Sequence, residues 1–242
     1  MTNMSEEPLG VLVKNWSPAR LPGPKTLSGK FVLLEILSAH KHAASLYQSY
    51  RGHDTIWDYM PSGPFGSSLQ FYRWVSEVTA NQDVLFYAIK NLATGKWDGV
   101  ASFLRIQPDA GSIEVGNIAY APSLQRTKTA TEAMFLMMQW AFEAGYRRYE
   151  WKCDALNAPS RRAAQRLGFS FEGVFRQALV VKGRNRDTAW FAMIDHEWPA
   201  LKEAFDVWLS PRNFDHNGEQ RVRLGNLTAL VRASSDPLFK GF

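Results

Sequence analysis

The hydrophobic pattern of the chain alternates between short strands and longer helices. Apolar runs bounded by turn residues predict strands at residues 31–37, 84–92, 99–107, 112–121, 146–154, 171–182 and 187–195. The turns ATGKWD and PDAG, which separate the second, third and fourth runs, are short enough for antiparallel hairpins. Helical segments separate the later runs, so the pattern predicts an α+β fold with a mixed sheet.

Helical periodicity marks several segments between these strands. Composition predicts helices at residues 39–50 and from about residue 198 to residue 209. A further helix is predicted after Ser67 and Ser68, where apolar residues recur about every three positions. Its expected apolar stripe comprises Leu69, Tyr72, Val75 and Val78.

The longest predicted helix runs from about Thr127 to Glu143 and ends before Gly145. Its apolar face, which is expected to cover the sheet, comprises Ala130, Met134, Met137 and Ala141. Its polar face comprises Glu132, Gln139 and Glu143. Another helix is predicted to begin at Asn157, a good N-cap residue, and to end near Gly168.

Proline and polar residues set the expected domain limits. Residues 1–29 hold four prolines and are expected to form an extended arm that is laid over the domain or left loose. Residues 30–209 contain no repeat or linker and are interpreted as a single domain. Residues 210–242 are polar, and they are expected to form a tail.

Composition and charge are those of a globular protein. The chain of 242 residues is 45% hydrophobic and 21% charged, and its net charge of +5 arises from 28 basic and 23 acidic residues. The basic residues form local clusters that could hold phosphates or could equally be solvated, and no nucleic acid partner is expected. A homodimer is compatible with the sequence.

The cysteine, the histidines and the apolar segments of the chain exclude several kinds of site and of protein. A single cysteine excludes an intramolecular disulfide and any zinc site built from several cysteines. The five histidines show no metal-ligand spacing, so no metal is expected. The segment MTNMSEEPLG lacks the apolar run of a signal peptide, and no apolar stretch is long enough to cross a bilayer. We expect a soluble cytoplasmic protein with no membrane partner.

Two helix starts are candidate anion sites. The strand that ends at Tyr120 leads through a short turn into residues 125–131, and a helix amino terminus presents free N–H groups and a partial positive charge. The hydroxyl groups expected to add donors there belong to Thr127, Thr129 and Thr131, and the charges to Arg126 and Lys128. A diphosphate would suit this junction, although threonines at a helix start often serve only as caps.

The two junctions resemble the motifs of the GNAT acyltransferases, and within them the branch that acetylates the amino termini of ribosomal proteins. IEVGNIAYAPSLQRTKTATEA is similar to the family's strand, bulge and acetyl-CoA loop, in which Gln125 and Ala130 fit the usual pattern. Lys128 stands where the family usually has glycine. NAPSRRAAQRLGF is similar to the family's second motif, although Ala164 replaces a frequent tyrosine. The resemblance covers roughly residues 30–199.

The resemblance implies the GNAT fold, a mixed and mostly antiparallel sheet flanked by helices, and acetyl-CoA as co-substrate. It implies that two strands splay apart around the pantetheine arm, with one backbone N–H polarising the thioester. The residues that it places beside the cofactor are Asn117, Ile118, Ala119 and Tyr120, then Gln125, Arg126, Thr127, Lys128, Thr129, Ala130 and Thr131, and finally Asn157, Ser160 and Arg161. Asn157 would also cap its helix, and Arg161 meets either phosphates or water.

Acetyl transfer to an amine requires a proton acceptor and a proton donor for the thiolate. The resemblance nominates Glu114 as the base, and the alternative is a carboxylate that only pairs with an arginine. Glu150 and Asp154 on the next strand are the reserve candidates. Ser160 is the candidate acid because Ala164 replaces the usual tyrosine, and the alternative is helix capping. Without catalysis, the same fold would be an acyl-CoA sensor or an interaction module.

The loop of residues 53–68 is the candidate acceptor wall. Its aromatic residues Trp57, Tyr59 and Phe65 could line a pocket for a small amine or a peptide end, or could only cover the core. The basic hairpin at residues 182–187 is a candidate for the other wall, and its charge would favour an acidic acceptor.

Overall fold

One eight-stranded sheet forms the centre of the protein in the computed structural model, which describes residues 9–239. Residues 1–8 of the expected arm and residues 240–242 of the expected tail lie outside the described residues. The strands are β1 (Thr26–Ser28), β2 (Val32–Ile36), β3 (Leu85–Asn91), β4 (Trp97–Gln107), β5 (Ser112–Tyr120), β6 (Arg148–Asp154), β7 (Ser170–Val181) and β8 (Arg184–Ile194).

The strand order is β1-β2-β3-β4-β5-β6-β8-β7. Within the described part of the chain, β5 and β6 form the one parallel pair, and every other neighbouring pair is antiparallel. A parallel pair needs a crossover connection, which here is a long helix. The predicted mixed sheet is therefore confirmed.

The helices cover both faces of the sheet. They are α1 (Ala39–Tyr50), α2 (Ser68–Ala80), α3 (Lys128–Glu143), α4 (Ala158–Arg166), α5 (Trp198–Leu209) and α6 (Leu224–Thr228). Alternate residues of each strand point to opposite faces, so Phe86 and Ala88 of β3 pack with α1 and α2, whereas Tyr87 and Ile89 join the core under α3. No helix within residues 9–239 has the length and apolar character needed for a bilayer crossing.

Two predicted helix faces are wrong in part. On α2, Leu69 is 57% exposed and Tyr72 is 43% exposed, whereas Phe71 and Val75 are buried. The buried side of α2 is set by the aromatic cluster that Phe71 joins, rather than by the stripe that begins at Leu69. On α3, Glu132 is buried rather than solvated, because its carboxylate accepts hydrogen bonds from the backbone N–H groups of Lys30 and Phe31.

The turn between β7 and β8 is shorter than the predicted basic loop. Lys182 and Gly183 both have positive φ, of 49° and 73°, which is typical of a two-residue hairpin turn. Residues 184–186 therefore belong to β8 and present their side chains from a strand.

The arm and the tail both contact the domain. Arm residues 26–28 form the edge strand β1, and Arg20 donates its backbone N–H to the carbonyl of Ala144. In the tail, Thr228 donates its hydroxyl to the carbonyl of Arg166, and Asp236 pairs with Arg161. The boundaries at residues 30 and 209 stay a prediction, but both flanking segments are tied to the sheet and helices.

Candidate active site

The parallel strands β5 and β6 pair at one end and separate at the other. Their pairing runs from Ser112 opposite Arg148 to Val115 opposite Trp151, and both strands continue beyond that point. On the other edge of β5, Gly116 pairs with Ser102 and Ala119 with Val100, so the chain is bulged between them. A gap therefore opens in the middle of the sheet.

Asn117 occupies the bulge. Its φ is 51°, a left-handed value that asparagine tolerates better than most residues, and its side-chain amide donates to the Ser102 hydroxyl at 2.9 Å. The bulge turns β5 away from β6 just before the chain enters α3. Asn117, Ile118 and Tyr120 line the gap, whereas Ala119 is buried against the α1 and α2 core.

A large cleft of about 1550 Å³ passes through this gap. One half of the cleft, which we call the donor half, lies at the starts of α3 and α4. The other half, which we call the acceptor half, is lined by residues of β4, β6, β7 and β8 and by the segment 55–61. The two halves are continuous, so a ligand could extend from one to the other.

Free backbone N–H groups face the donor half at the start of α3. Thr127 caps the helix by accepting from the backbone N–H of Ala130 at 3.1 Å, and its own hydroxyl donates to the carbonyl of Leu124 at 2.7 Å. Among residues 9–239, the backbone N–H groups of residues 126–129 have no hydrogen-bond acceptor. These N–H groups and the positive end of the helix dipole suit an anion.

The side chains of residues 125–131 make different contacts. Gln125 donates to the carbonyl of Tyr120 at 3.0 Å and so fixes the turn, and Arg126 has a φ of 61°. Lys128 adopts helical torsions as the first residue of α3, and its Nζ lies 4.3 Å from the centre of the Phe214 ring. Gln125, Arg126, Thr127, Lys128, Ala130 and Thr131 line the cleft. Thr129 lines a smaller adjoining cavity of about 510 Å³.

The start of α4 forms the floor of the donor half. Asn157 caps α4 by accepting from the backbone N–H of Ser160 at 3.1 Å. The hydroxyl oxygen of Ser160 accepts from Nε1 of Trp151 at 3.0 Å. Cys153 is buried beside Ser160, and burial raises the pKa of its thiol to about 11, so this thiol stays protonated at neutral pH.

Arg161 does not line the cleft. Its guanidinium group forms two hydrogen bonds to Asp236, at 2.7 and 2.6 Å, and a third to the carbonyl of Ala155 at 2.7 Å. Both members of this ion pair are buried. A phosphate contact by Arg161 would require this pair to break, whereas Arg162 and Arg166 line the cleft directly.

Glu114 lies at the centre of a charge network. One of its carboxylate oxygens lies 2.6 Å from Nη1 of Arg105 and 2.9 Å from Nζ of Lys152. Lys152 also contacts Glu150 at 2.7 Å, and its ammonium group lies 3.8 Å from the centre of the Trp190 ring. Glu114 and Lys152 are both buried and line the cleft, so the paired carboxylate adjoins the gap.

The predicted aromatic wall is only partly present. Tyr59 lines the acceptor half and donates its hydroxyl to the carbonyl of Leu156 at 3.3 Å. Trp57 is 2% exposed and packs with Phe65 and Phe71 in the core under α1 and α2. Trp57 is therefore a core residue and the partly buried Phe65 packs against that core, because this loop folds back onto α2, and neither lines the cleft.

Known proteins share this architecture. A family model for the acetyltransferase (GNAT) domain matches residues 32–170, which is more than half of the chain. The chain belongs to the GNAT acetyltransferase family.

Solved structures agree with this assignment. A GCN5-related N-acetyltransferase from Brucella melitensis is 44% identical, with a TM-score of 0.87 over 90% of this chain and 100% of that one. A probable GNAT acetyltransferase from Chromobacterium violaceum is 40% identical, with a TM-score of 0.76 over 80% of this chain and 98% of that one.

A more distant structure shares the fold. It is an acetyltransferase from Salmonella typhimurium that modifies the N-terminal serine of ribosomal protein L7/L12. It is 20% identical, with a TM-score of 0.60 over 70% of this chain and 98% of that one. A search of curated proteins gave no significant match.

The residues of this GNAT acetyltransferase fit the acetyl-CoA that the family uses. The free N–H groups at the start of α3 suit a diphosphate, and the gap between β5 and β6 admits an extended chain. Among residues 9–239, no group of three or more His, Cys, Asp or Glu is arranged to hold a metal ion. The protein is an acetyl-CoA-dependent acyltransferase.

Several lining residues of the acetyltransferase carried no signal in the sequence. Lys152, Thr188 and Trp190 occupy ordinary alternating strand positions, and only the pairing of β6 with β8 brings them together. Phe214 reaches the donor half from the tail. The first five residues of β8, residues 184–188, are all polar, so the sequence does not mark which face of this strand enters the cleft.

Proposed function

We propose that the protein transfers the acetyl group of acetyl-CoA to a primary amine by direct attack within a ternary complex. The observation that carries this proposal is the gap between β5 and β6, which joins the free N–H groups of α3 to the acceptor half of one cleft. Acetyl-CoA would enter from the donor half and the amine from the acceptor half. Bound in this way, the two reactants would meet at the bulge.

The thioester would be activated at the bulge of β5. A backbone N–H near Asn117 or Ile118 would donate to the thioester oxygen, on which negative charge develops during attack. The nitrogen forms a bond to the carbonyl carbon, the carbon–sulfur bond breaks, and coenzyme A departs as a thiolate. The nitrogen, positively charged after the attack, releases one proton to solvent and becomes the neutral amide. The amine must be neutral for this attack, so its ammonium form has to lose a proton first.

Glu114 is our candidate for the group that receives this proton. It adjoins the gap, and its contacts with Arg105 and Lys152 keep the carboxylate oriented toward it. The proton would reach Glu114 through water. The rival interpretation is a structural ion pair, because two cations already neutralise the carboxylate.

Ser160 is our candidate for the group that gives a proton to the thiolate. Its oxygen accepts from Trp151 and its hydroxyl lies beside the Cys153 thiol, and in the ternary complex the hydroxyl proton would be donated toward the sulfur of coenzyme A. Ser160 would recover a proton from solvent afterwards. Asn157, whose side-chain oxygen is used in the cap, retains its amide N–H groups for the pantetheine arm.

We further propose that the acceptor is an amino terminus or a small-molecule amine. The motifs of the two helix starts are similar to those of the branch that acetylates ribosomal-protein amino termini. The Salmonella typhimurium enzyme modifies such a terminus.

Calorimetry with acetyl-CoA and with coenzyme A tests the donor half, and thiol release with a panel of amines and peptides tests transfer. We expect binding of both nucleotides and amine-dependent release of coenzyme A. Absence of nucleotide binding would refute the proposal. Nucleotide binding without turnover on any amine would instead support an acyl-CoA sensor, which the departures at Lys128 and Ala164 favour.

A further inference from the structure

Three alternate residues of β8 present polar groups to the acceptor half. They are Arg186, Thr188 and Trp190, and all three line the cleft. The Arg186 Nε, the Thr188 hydroxyl and the Trp190 Nε1 are each buried, and none has a hydrogen-bond partner among residues 9–239. Thr188 as a whole is only 4% exposed.

Unpartnered buried donors destabilise a fold. Most buried donors in native proteins have a hydrogen-bond partner, so three without one on a single strand face are unusual. All three side chains can donate, and two of them, the guanidinium and the indole, can only donate. This face of β8 can therefore donate hydrogen bonds to a bound acceptor group.

The charges nearby favour an anion as that acceptor. The carboxylates of Glu114 and Glu150 are already engaged by Lys152 and its neighbouring arginines. Within residues 9–239, Arg176 and Arg186 have no carboxylate within salt-bridge distance, although both line the cleft. Asp154 also lines this half, but four cationic side chains, those of Arg105, Lys152, Arg176 and Arg186, outnumber the lining carboxylates of Glu114 and Asp154. The acceptor half thus carries net positive charge beside the three donors.

The register places this face next to the gap. Thr188 lies opposite Asp154 at the end of β6, and Trp190 lies opposite Lys152. Pairing between β5 and β6 has already ended at Trp151, one residue before Lys152. A ligand held by Arg186 and Thr188 would therefore lie close to the point where the thioester enters.

We propose that the acceptor is a primary amine that also carries a carboxylate, and that Arg186, Thr188 and Trp190 bind this carboxylate. This inference rests on the proposed acetyl transfer and names the substrate class of the same site. Arg186 supplies the charge, and Thr188 and Trp190 supply neutral donors. Tyr59 and Phe175 line the same half and pack on the apolar part of the acceptor.

Matched acceptor pairs test the charge requirement. One arm compares free amino acids with their amides, which differ in the α-carboxylate. The other arm compares dipeptide amides whose second residue is Asp or Asn, which differ in a side-chain carboxylate. We expect kcat/KM to be at least about tenfold higher for the carboxylate member in one arm, because charge-assisted hydrogen bonds are the stronger class.

Variants of β8 test the residues. Thr188→Val removes the hydroxyl at nearly constant volume, and Arg186→Gln removes the charge. We expect each to lower kcat/KM at least about tenfold for the carboxylate acceptor and less than about twofold for its neutral match. The control is Arg184→Gln, because Arg184 is exposed on the same hairpin and does not line the cleft.

Three results would overturn the inference. These are equal use of both members of each pair, equal loss on both acceptors in Arg186→Gln, and a loss of coenzyme A affinity in Thr188→Val. The last result would mean that the β8 donors bind the cofactor.

Failure of acetyl transfer is distinguishable from failure of this inference. If no amine is acetylated, the proposed function fails, and calorimetry of the same acceptor pairs with the coenzyme A complex still tests the inference. Binding of the carboxylate member that is lost in Arg186→Gln would support it. Absence of such binding would overturn it.

Discussion

The two halves of the cleft are built from different parts of the chain. The donor half uses backbone groups of residues 117–131 and the start of α4, which lie close together in sequence. The acceptor half uses side chains of β4, β6, β7 and β8, which only the sheet brings together. A site made of main-chain N–H groups tolerates a changed side chain, whereas a site made of side chains does not. The donor half should therefore withstand single substitutions better.

Glu114→Gln provides the strongest test of this contrast. It removes the charge that pairs with Arg105 and Lys152 in the acceptor half and leaves the N–H groups of α3 untouched. If Glu114 is the base, we expect turnover to fall about 10²–10⁴-fold, which is the usual contribution of acid–base catalysis. Thiol release under saturating acetyl-CoA measures this, with coenzyme A affinity expected to stay nearly constant.

The control is Glu172→Gln, at the exposed end of the same charge network. Glu172 pairs with Arg148, and its side chain is 40% exposed, so the substitution should change turnover little. If Glu114→Gln also leaves turnover unchanged, Glu114 is a structural ion pair. A different residue must then accept the proton of the acceptor ammonium group.

Asp236→Asn tests how the donor half is supported. It removes the charge that Arg161 meets with two hydrogen bonds in a buried site. Breaking a buried ion pair from one side costs about 3–5 kcal/mol, so we expect the free energy of unfolding to fall by this order. Urea denaturation measures it, with the exposed pair variant Asp206→Asn as control.

Coenzyme A affinity in the same variant separates two roles of Arg161. If Arg161 only anchors the tail to α4, affinity should change less than about threefold in protein that is still folded. If affinity rises because Arg161 is freed to meet phosphate, Arg161 belongs to the nucleotide site.

The sheet and the two helix starts of the donor half could be predicted from the sequence for a physical reason. Strand alternation, helix caps at Thr127 and Asn157, and the glycine stop at Gly168 are local signals, and the structure confirms each of them. The free N–H groups follow directly from where α3 begins. The order of residues along the chain is enough to predict these two helix starts, because residues that are neighbours in sequence form them.

The acceptor half could not be predicted because its signals are tertiary. Trp57 and Phe65 have the composition of a pocket wall, yet only the path of their loop decides that Trp57 enters the core and that Phe65 packs against it. The sequence position of Glu132 is that of a solvated helix residue. The fold, however, brings the backbone N–H groups of residues 30 and 31 to its carboxylate. The pairing of Lys152 with Glu114 depends on the register of β5 and β6.

Ser160→Ala tests the candidate acid with a smaller expected effect. We expect about a tenfold loss of turnover with alkylamine acceptors, because solvent can replace a hydroxyl donor in part. Thiol release measured across pH checks this, and the loss should grow as buffer acids become scarce above neutral pH. Asn157 still caps α4 through the backbone N–H of residue 160, but Nε1 of Trp151 loses its acceptor, so we expect the free energy of unfolding to fall by about 1–3 kcal/mol in a protein that still folds. An unchanged rate at every pH would exclude Ser160 as the acid.

Lys128→Met gives the smallest expected effect, and it decides how far the donor half depends on its backbone. The Lys128 ammonium group lies near the rings of Phe31 and Phe214, at 5.3 and 4.3 Å from their centres. These contacts are within the protein and are worth about 0.5–1 kcal/mol, so the most that their loss can transmit to binding through the loop is about a fivefold rise in the Kd for coenzyme A in Lys128→Met. Calorimetry measures this, with Lys96→Met, in an exposed turn, as the charge control.

A larger loss would change the interpretation of the loop. If Lys128→Met raised the Kd more than about thirtyfold and the loss disappeared at high salt, the ammonium group would contact a phosphate directly. The donor half would then depend on a side chain as strongly as the acceptor half does. A small loss would instead mean that lysine can replace the family's usual glycine because it adopts helical torsions while its side chain points toward the tail.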